Sequence, residues 1–235
     1  MALTRSLAEI TLAARRLADM EVSTFVSDAE VTFIVNQRIA QLYARLVVTD
    51  SDRYAIEGTL TTTSSATPPW LVALPADFYV LRGVDLQRGG QRFPLESYAL
   101  QERVVGGAVD AWLPYERVPL RYRLANNGVD GADAALYFDR NPGNATIIVY
   151  YVPNAPRLAD GEDVLDGFAG WEDWIVYKTA IALLSKEESD TSALERECAA
   201  IEAAIKHLSS IRDAGEAPSV VNVYTYRGRG GRGRY

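Results

Sequence analysis

The sequence predicts an α+β protein: a bundle of about four helices, an inserted antiparallel β-meander and an extended C-terminal arm. Three observations support this fold class. Apolar residues recur at helical spacing near both ends of the chain's body. The middle of the chain consists of short runs rich in Val, Thr and Tyr, separated by turns that contain Gly and Asn. The last residues combine one strand-like stretch with an Arg-Gly tract that has no apolar face to bury.

Two helices are predicted at the N-terminal end. Residues 3–18 have apolar side chains near one helical face. A second helix is expected to begin at Ser27, because Ser27 and Glu30 have the spacing of a capping box, in which each side chain accepts an N–H from the other residue. Asn36 and Arg38 lie within the apolar pattern of this helix and are expected to face solvent or an interface.

The central part is predicted to be a meander of short antiparallel strands. Residues 97–105 are expected to form a short helix that ends at a Gly-Gly pair. Gly89 and Gly90 separate two strands and predict a hairpin, and Asn126-Asn-Gly128 and Asn141-Pro-Gly143 predict two further turns. The strand-like runs are residues 59–63, 81–86, 91–95, 120–124, 135–138 and 146–152.

Two further helices follow. Residues 171–186 form the first, with two acids in its opening turn, where the helix dipole favours them. Thr191 or Ser192 is expected to cap the second, which extends to about residue 212. Because the loop between them is short, an antiparallel helical hairpin is predicted. Its packing seam repeats at steps of four and three and consists of Leu194, Cys198, Ile201, Ile205 and Leu208.

This order predicts three parts. Residues 1–50 and 165–213 form the helical bundle, residues 51–164 form the inserted β-rich domain, and residues 214–235 form the arm. The net charge is −7; the tail from Arg227 holds four arginines and no acid, so the remaining residues carry about −11. An acidic body does not favour tight contact with phosphates. A single cysteine indicates a reducing compartment, and no apolar run approaches membrane-spanning length.

The residue types needed for catalysis or metal binding are scarce. His207 is the only histidine, and it has no nucleophile at helical spacing, so a structural role on the helix surface is expected. Cys198 is expected to be a small buried apolar side chain. The acids Asp160, Glu162, Asp163 and Asp166 do not match a calcium loop and are expected to form a solvated linker. The sequence therefore predicts no enzyme, no cofactor and no metal.

The C-terminal tail allows three interpretations. It resembles disordered Arg-Gly segments that bind RNA and single strands, it could be a solubilising end, or its strand could add to the sheet of a partner. The strand-like composition of residues 220–226 fits the third interpretation best. The residues expected to contact a partner are Val220, Val221, Val223, Tyr224, Tyr226, Arg227, Arg229, Arg232, Arg234 and Tyr235.

Several segments, in their order and spacing, resemble the head-to-tail adaptor (connector) proteins of tailed bacteriophages. After a short N-terminal helix, these segments are Ser27–Gln37, Leu74–Tyr79, Gly83-Val84, Arg121–Leu124, Tyr150–Pro153, Gly170–Trp174 and Lys186–Asp190. They span most of the body but not the Arg-Gly tail, which departs from the pattern of the family.

The resemblance implies a structural protein of the virion, located at the head-tail junction after assembly in the host cytoplasm. It implies a homo-oligomeric ring, usually of twelve subunits, beneath the portal protein. Helices would form the ring wall, the β insertion would point outward or toward the tail proteins, and the arm would reach the portal or a neighbour. Duplex DNA would pass through the channel without sequence-specific contacts. The alternative function is nucleic-acid binding through the Arg-Gly tail.

Overall fold

The computed structural model describes residues 5–23, 25–49, 52–63, 69–102, 120–126, 134–165 and 171–211. Within these ranges the chain contains four α-helices and two four-stranded sheets, so the mixed α+β class predicted from the sequence is confirmed. The helices are α1 (Leu7–Leu17), α2 (Asp28–Thr49), α3 (Glu172–Lys186) and α4 (Ser192–Ile211). The strands are β1 (Ile56–Thr61), β2 (Leu71–Ala73), β3 (Phe78–Arg88), β4 (Gln91–Pro94), β5 (Glu96–Ser97), β6 (Arg121–Asn126), β7 (Ala134–Phe138) and β8 (Thr146–Pro153).

The N-terminal caps differ from the predicted ones. A complete capping box lies at α1: the Ser6 hydroxyl accepts the Glu9 N–H at 3.2 Å, and the Glu9 carboxylate accepts the Ser6 N–H at 2.9 Å. At α2 only half of the expected box is present, since the Ser27 hydroxyl accepts the Glu30 N–H at 3.3 Å. The Glu30 carboxylate pairs instead with Lys186 at the end of α3. That long-range competitor cannot be read from the local sequence.

The two C-terminal helices are joined by the short loop 187–191. Thr191 precedes the first residue of α4, as predicted, and its carbonyl accepts the Glu195 N–H at 2.9 Å. Its hydroxyl donates to the Glu195 carboxylate, and the Asp190 carboxylate accepts the Ser192 N–H at 2.9 Å. In the predicted seam, Cys198 and Ile205 are buried. Leu194 and Ile201 are partly buried against the same core, and the Leu208 side chain lies outside the described part of the chain.

The strands do not follow the sequential order of a meander. One sheet has the order β1-β8-β3-β4, and the other has the order β2-β7-β6-β5, in which β5 and β6 are parallel. The cause is β8, whose consecutive residues Ile147, Ile148 and Val149 are all buried. A strand that is apolar on both faces takes a central position, so it pairs with both β1 and β3.

Two of the predicted turns are confirmed, whereas the described part of the predicted short helix is not α-helical. Gly89 and Gly90 adopt positive φ angles of 55° and 80° between β3 and β4, and Gly143 has a φ of 73° before β8. Residues 97–102 contain the end of β5 and a single 3₁₀ turn, Leu100–Glu102. Residues 103–105 of the expected helix lie outside the described residues. So do Asn127 and Gly128 of the predicted Asn-Asn-Gly turn.

The helices and the sheets have separate cores that meet at the end of β8. α1 and α2 both pack on α3, and α2 also contacts α4. Val152 of β8, together with Leu158 and Leu165, belongs to the helical core, while Val149 and Tyr151 belong to the sheet core. The Tyr43 hydroxyl of α2 donates to the carbonyl of Pro153 at 3.0 Å. The C-terminal end of β8 therefore contributes to both cores and connects the two parts.

Candidate docking groove and surrounding surfaces

An open apolar groove lies between the C-terminal half of α2 and α4. Its volume is about 660 Å³. Leu42, Leu46 and Ile205 line it as buried side chains. Ala199 and Ala203, one helical turn apart on α4, are exposed at its wall. Because alanine is small, these two positions leave the apolar floor accessible, and such a concave surface suits an apolar side chain of a partner.

Three side chains surround the carboxylate of Glu202 in the groove wall. The Glu202 Oε1 atom accepts hydrogen bonds from the indole N–H of Trp174 at 3.0 Å and lies 2.9 Å from Arg45 Nη1. Lys178 Nζ lies 3.3 Å from the same oxygen. The Arg45 guanidinium and the Lys178 ammonium also lie over the Trp174 ring, at 5.1 and 5.7 Å from its centre. Side chains of α2, α3 and α4 thus meet at one point.

This environment sets the ionisation of Glu202. Burial alone would raise the pKa of its carboxyl, but the hydrogen bonds from Trp174, Arg45 and Lys178 favour the carboxylate and lower the pKa below its ordinary value. The group is consequently ionised at neutral pH and engaged by three donors. A carboxylate held in this way stabilises the helix contacts and does not suit proton donation at neutral pH.

A second exposed apolar surface lies in the connection between α1 and α2. The side chains of Val22 and Phe25 are 98% and 62% exposed. Below them the buried Arg15 guanidinium donates to the carbonyl oxygen of Val26 at 2.7 Å and pairs with Asp28 at 2.8 Å. It also donates to the carbonyls of Met20 and Ser23 at 3.4 and 3.3 Å. One guanidinium therefore binds this connection at Met20, Ser23 and Val26 and the start of α2 at Asp28.

The outer edge of β1 is a further surface where a strand could pair. The Thr62 N–H donates to Ala145 at 2.9 Å, so alternation along the antiparallel ladder directs the backbone groups of Glu57, Thr59 and Thr61 away from β8. Among the described residues no strand pairs with this edge. The other edge strands, β2, β4 and β5, have 3, 4 and 2 residues, compared with 6 in β1.

The residues predicted to form the partner-binding arm, 220–235, lie outside the described part of the chain. The two residues assessed for catalysis lie on α4. Cys198 is 1% exposed, and burial raises the pKa of its thiol. His207 is on the exposed side of the helix. The structure thus places the thiol in the core, as predicted, and brings no catalytic pair together from these two side chains.

The acidic linker is more ordered than the sequence predicts. Asp160 and Glu162 are exposed, but the Asp163 carboxylate accepts the N–H groups of Ala159 and Asp160 at 2.7 and 2.9 Å, which lowers its pKa. The Asp163 carbonyl also accepts the Leu7 N–H at 2.9 Å. The loop therefore provides a hydrogen-bond acceptor for an N–H group in the first turn of α1. Asp166 lies outside the described residues.

Asn36 was expected to face solvent or an interface, and this is wrong. Its side chain is half-buried and forms hydrogen bonds with the backbone of Leu158, beyond β8.

The sequence did not predict the groove cluster of Arg45, Trp174, Lys178 and Glu202. Its local signal is present: Trp174 and Lys178 are four residues apart on α3, as are Ala199 and Ala203 on α4. What the sequence lacks is any sign that these faces meet Arg45.

Comparisons with known proteins give no family for this chain. No protein-family model matches it, and no curated protein is significantly similar to it in sequence. Within the described residues, no three or more His, Cys, Asp and Glu side chains are grouped so as to hold a metal ion. None of the helices in the described part combines the length and apolar character needed to cross a membrane.

Proposed function

We propose that this protein is a structural head-to-tail adaptor of a tailed bacteriophage. It forms a ring of about twelve copies beneath the portal, as the resembled family does, joins the portal to the tail proteins and lines the channel for duplex DNA. It acts in the virion after assembly in the host cytoplasm. Its role is binding and not catalysis, with no cofactor required.

In this proposal the three parts of the chain have separate roles. The four helices, from residues 1–50 and 165–213, form a bundle that is the body of the ring. The β-rich residues 51–164 form the insertion that faces outward or toward the tail. Residues 214–235 form the arm that grips the portal or a neighbour through its strand and its arginines.

The observation that carries the proposal is the groove between α2 and α4. It is open and apolar, and its one carboxylate, Glu202, is already engaged by Arg45, Trp174 and Lys178. A surface of this kind buries a partner's side chains, whereas its polar groups have no spare capacity for chemistry. α4, which forms one wall, also leads directly into the arm. The α4 wall of the groove and the arm are therefore consecutive in the sequence.

Charge gives a second line of support. The chain outside the Arg-Gly tail carries a net charge of about −11. A ring wall with this charge repels the phosphates of duplex DNA and allows the DNA to slide without a tight contact. The basic residues Arg227, Arg229, Arg232 and Arg234 would then meet an acidic acceptor outside the channel wall or the DNA itself.

The test is the mass and shape of the purified protein alone and after mixing with the portal protein of the same phage. We expect a monomeric or weakly associated protein alone and a ring on the portal, visible by negative-stain electron microscopy and by mass photometry. A tight small dimer under both conditions, with no ring, would contradict the proposal.

The Arg-Gly tail supports a second candidate function, nucleic-acid binding through residues 227–235. Arginine and tyrosine in a flexible tract bind single strands by charge and stacking. A shift assay with single-stranded and duplex probes distinguishes the two functions. Strong binding that weakens steeply with salt, in a protein that forms no ring on the portal, would favour this alternative.

A further inference from the structure

Two exposed apolar surfaces lie at opposite ends of α2. The groove takes its α2 side from residues 42–49, in the last two turns of the helix. The other surface, which we call the knob, consists of Val22 and Phe25 in the connection just before α2 begins. Two large apolar side chains exposed three residues apart form a candidate contact surface for another protein.

A single copy cannot place its own knob in its own groove. The helix between them rises by about 1.5 Å per residue, which separates Asp28 from Val48 by about 30 Å. The knob also cannot swing across this distance, because the buried Arg15 guanidinium holds the carbonyls of Met20 and Val26 in place. Only a second molecule can bring the two surfaces together.

The charges around the two surfaces are complementary. Residues 19–30, which carry the knob, contain four carboxylates and no basic side chain. Three of these carboxylates pair with Arg15, Arg16 and Lys186, which reduces the acidic character of that region without reversing it, because four carboxylates stand against three cations. The groove lining contains two cations, Arg45 and Lys206, against one acid. If the two surfaces met, an acidic knob region would face a groove lining with one more cation than acids, in a protein whose overall charge is negative.

The size of the two surfaces fits a weak contact. The groove of about 660 Å³ can accept the Phe25 ring, and one aromatic side chain buries about 150–250 Å². A stable interface needs about 800 Å² from each partner. A knob and a groove of this size are too small to hold two free molecules together for long. The contact is therefore transient between free molecules, where a cross-linker can trap it, and longer-lived where a template places copies side by side.

We infer that the knob of one copy inserts into the α2–α4 groove of the next copy, in a head-to-tail contact. Because the two surfaces differ, the contact is heterologous, and a pair of copies retains one free knob and one free groove. Repetition closes a ring where the rotation between copies allows it. The closed ring rests on the proposed adaptor function, whereas the pairwise contact needs no portal.

The experiment uses two full-length variants and a short thiol-reactive cross-linker. Val22→Cys places a thiol on the knob and retains Phe25, and Thr49→Cys places one at the groove, while the native Cys198 stays buried in both. We expect the mixture of the two variants to give the cross-linked dimer and each variant alone to give little. The control mixes Thr49→Cys with Thr59→Cys, which places the thiol on an exposed residue of β1. This mixture should give little dimer.

A blocking variant connects the cross-link to the groove. Ala203→Glu adds bulk and negative charge to the wall, and in the Thr49→Cys protein it should reduce the dimer at least about tenfold, which corresponds to ~1.4 kcal/mol. Ala200→Glu, at an exposed position of the same helix, is the matched control and should leave the amount of dimer unchanged. Phe25→Asp in the Val22→Cys protein tests the same contact from the knob side. Circular dichroism checks that each variant folds.

Two outcomes would overturn the inference. One is the absence of the mixed dimer, and the other is dimer formation by either single variant alone, which would indicate a symmetric contact. No portal is present in these reactions, so failure of the adaptor proposal leaves the result unchanged. Conversely, a protein that forms rings on its portal but gives no mixed dimer contradicts only the knob-and-groove contact.

Discussion

The side chain of Asn36 and the backbone of Leu158, 122 residues apart, form two reciprocal hydrogen bonds. The Asn36 amide Nδ2 donates to the Leu158 carbonyl at 2.8 Å, and the Leu158 N–H donates to Asn36 Oδ1 at 2.9 Å. The same Nδ2 also donates to Thr32 within α2 at 3.0 Å. An asparagine in the helix therefore fixes the segment by which the chain returns from β8 to the helical part.

Replacing Asn36 by Ala should destabilise the protein by about 1–3 kcal/mol, because the buried N–H and carbonyl of Leu158 lose their partners together. Urea unfolding measures this loss. The control is Gln37→Ala, at the exposed neighbouring position, which should change the free energy of unfolding by no more than ~0.5 kcal/mol. Equal effects of the two substitutions would show that the paired hydrogen bonds contribute little.

The sequence predicts well what depends on neighbouring residues. Gly89, Gly90 and Gly143 mark turns because few other residues adopt positive φ at low cost, and the structure has all three in that region. The limits of α3 also follow from local pattern. Asn36 is the opposite case: its partner is distant in sequence, and a polar residue on a helix looks the same whether it faces water or a backbone segment.

Sheet order shows the same limit. The buried run Ile147-Ile148-Val149 indicates a central strand, but only the tertiary fold decides that β1 and β3 become its neighbours. The groove depends on three helices at once. Its charged cluster brings together Arg45 and Glu202, whose contact no local spacing specifies. Features built from distant segments are thus the part that sequence reasoning does not reach.

Gly58 of β1 should not tolerate a larger residue. A Cβ atom there would lie 3.0 Å from Tyr151 Cε1 and 3.1 Å from Val149 Cγ2, so buried side chains of the central strand would have to shift. We expect Gly58→Ala to lower the free energy of unfolding by about 1–3 kcal/mol. Gly83→Ala, where the nearest atom is 3.5 Å away, is the control and should be tolerated. Thermal unfolding followed by circular dichroism compares the two, and a greater loss for Gly83→Ala would be contrary to this prediction.

The inner face of α4 should not accept a charge. Ile205 is 7% exposed and Ile201 is partly buried, so Ile205→Asp should prevent folding and Ile201→Asp should have a smaller effect. The reason is that an unpaired carboxylate in an apolar core costs several kcal/mol. Ala204→Asp, adjacent to Ile205 but exposed, is the matched control. Soluble Ile205→Asp protein with full helical content would mean that the buried face has been misassigned.

The carboxylate of Glu202 should make stability depend on pH. Its pKa in the folded protein lies below the ordinary value of 4.5, so its ionised form stabilises the fold at neutral pH. This contribution begins to weaken as the pH falls below 4.5 and is lost as the pH passes through the lowered folded pKa. Glu202→Gln should therefore be less stable than wild type at neutral pH, and the difference should narrow in acid.

Urea unfolding of both proteins across this pH range is the measurement. Glu197→Gln, an exposed substitution on the same helix, controls for the general loss of one negative charge. A difference between wild type and Glu202→Gln that stays constant from neutral to acidic pH would show that ionisation of Glu202 is not coupled to folding.

Deleting residues 218–235 should leave the body folded and impair attachment to the portal. Within the described part of the chain, the buried residues of the helical and sheet cores lie between 7 and 205, so the deletion removes none of them. The unfolding midpoint should remain unchanged while co-sedimentation with the portal decreases. A large loss of stability would show instead that this segment packs on the body.

Replacing Arg227, Arg229, Arg232 and Arg234 by Ser separates charge from strand pairing in the arm, because Val220, Val223 and the tyrosines remain. If charge contributes to attachment, the Ser variant should join portals less well than wild type at physiological salt, and the defect should shrink as salt screens the wild-type contact.

Competitor DNA added to wild type then identifies the acceptor of the arginines. Competition would indicate nucleic acid, whereas indifference would indicate carboxylates of the portal protein. A Ser variant that attaches as well as wild type would show that the arginines contribute nothing to portal attachment. The attachment of the arm would then depend on its strand alone.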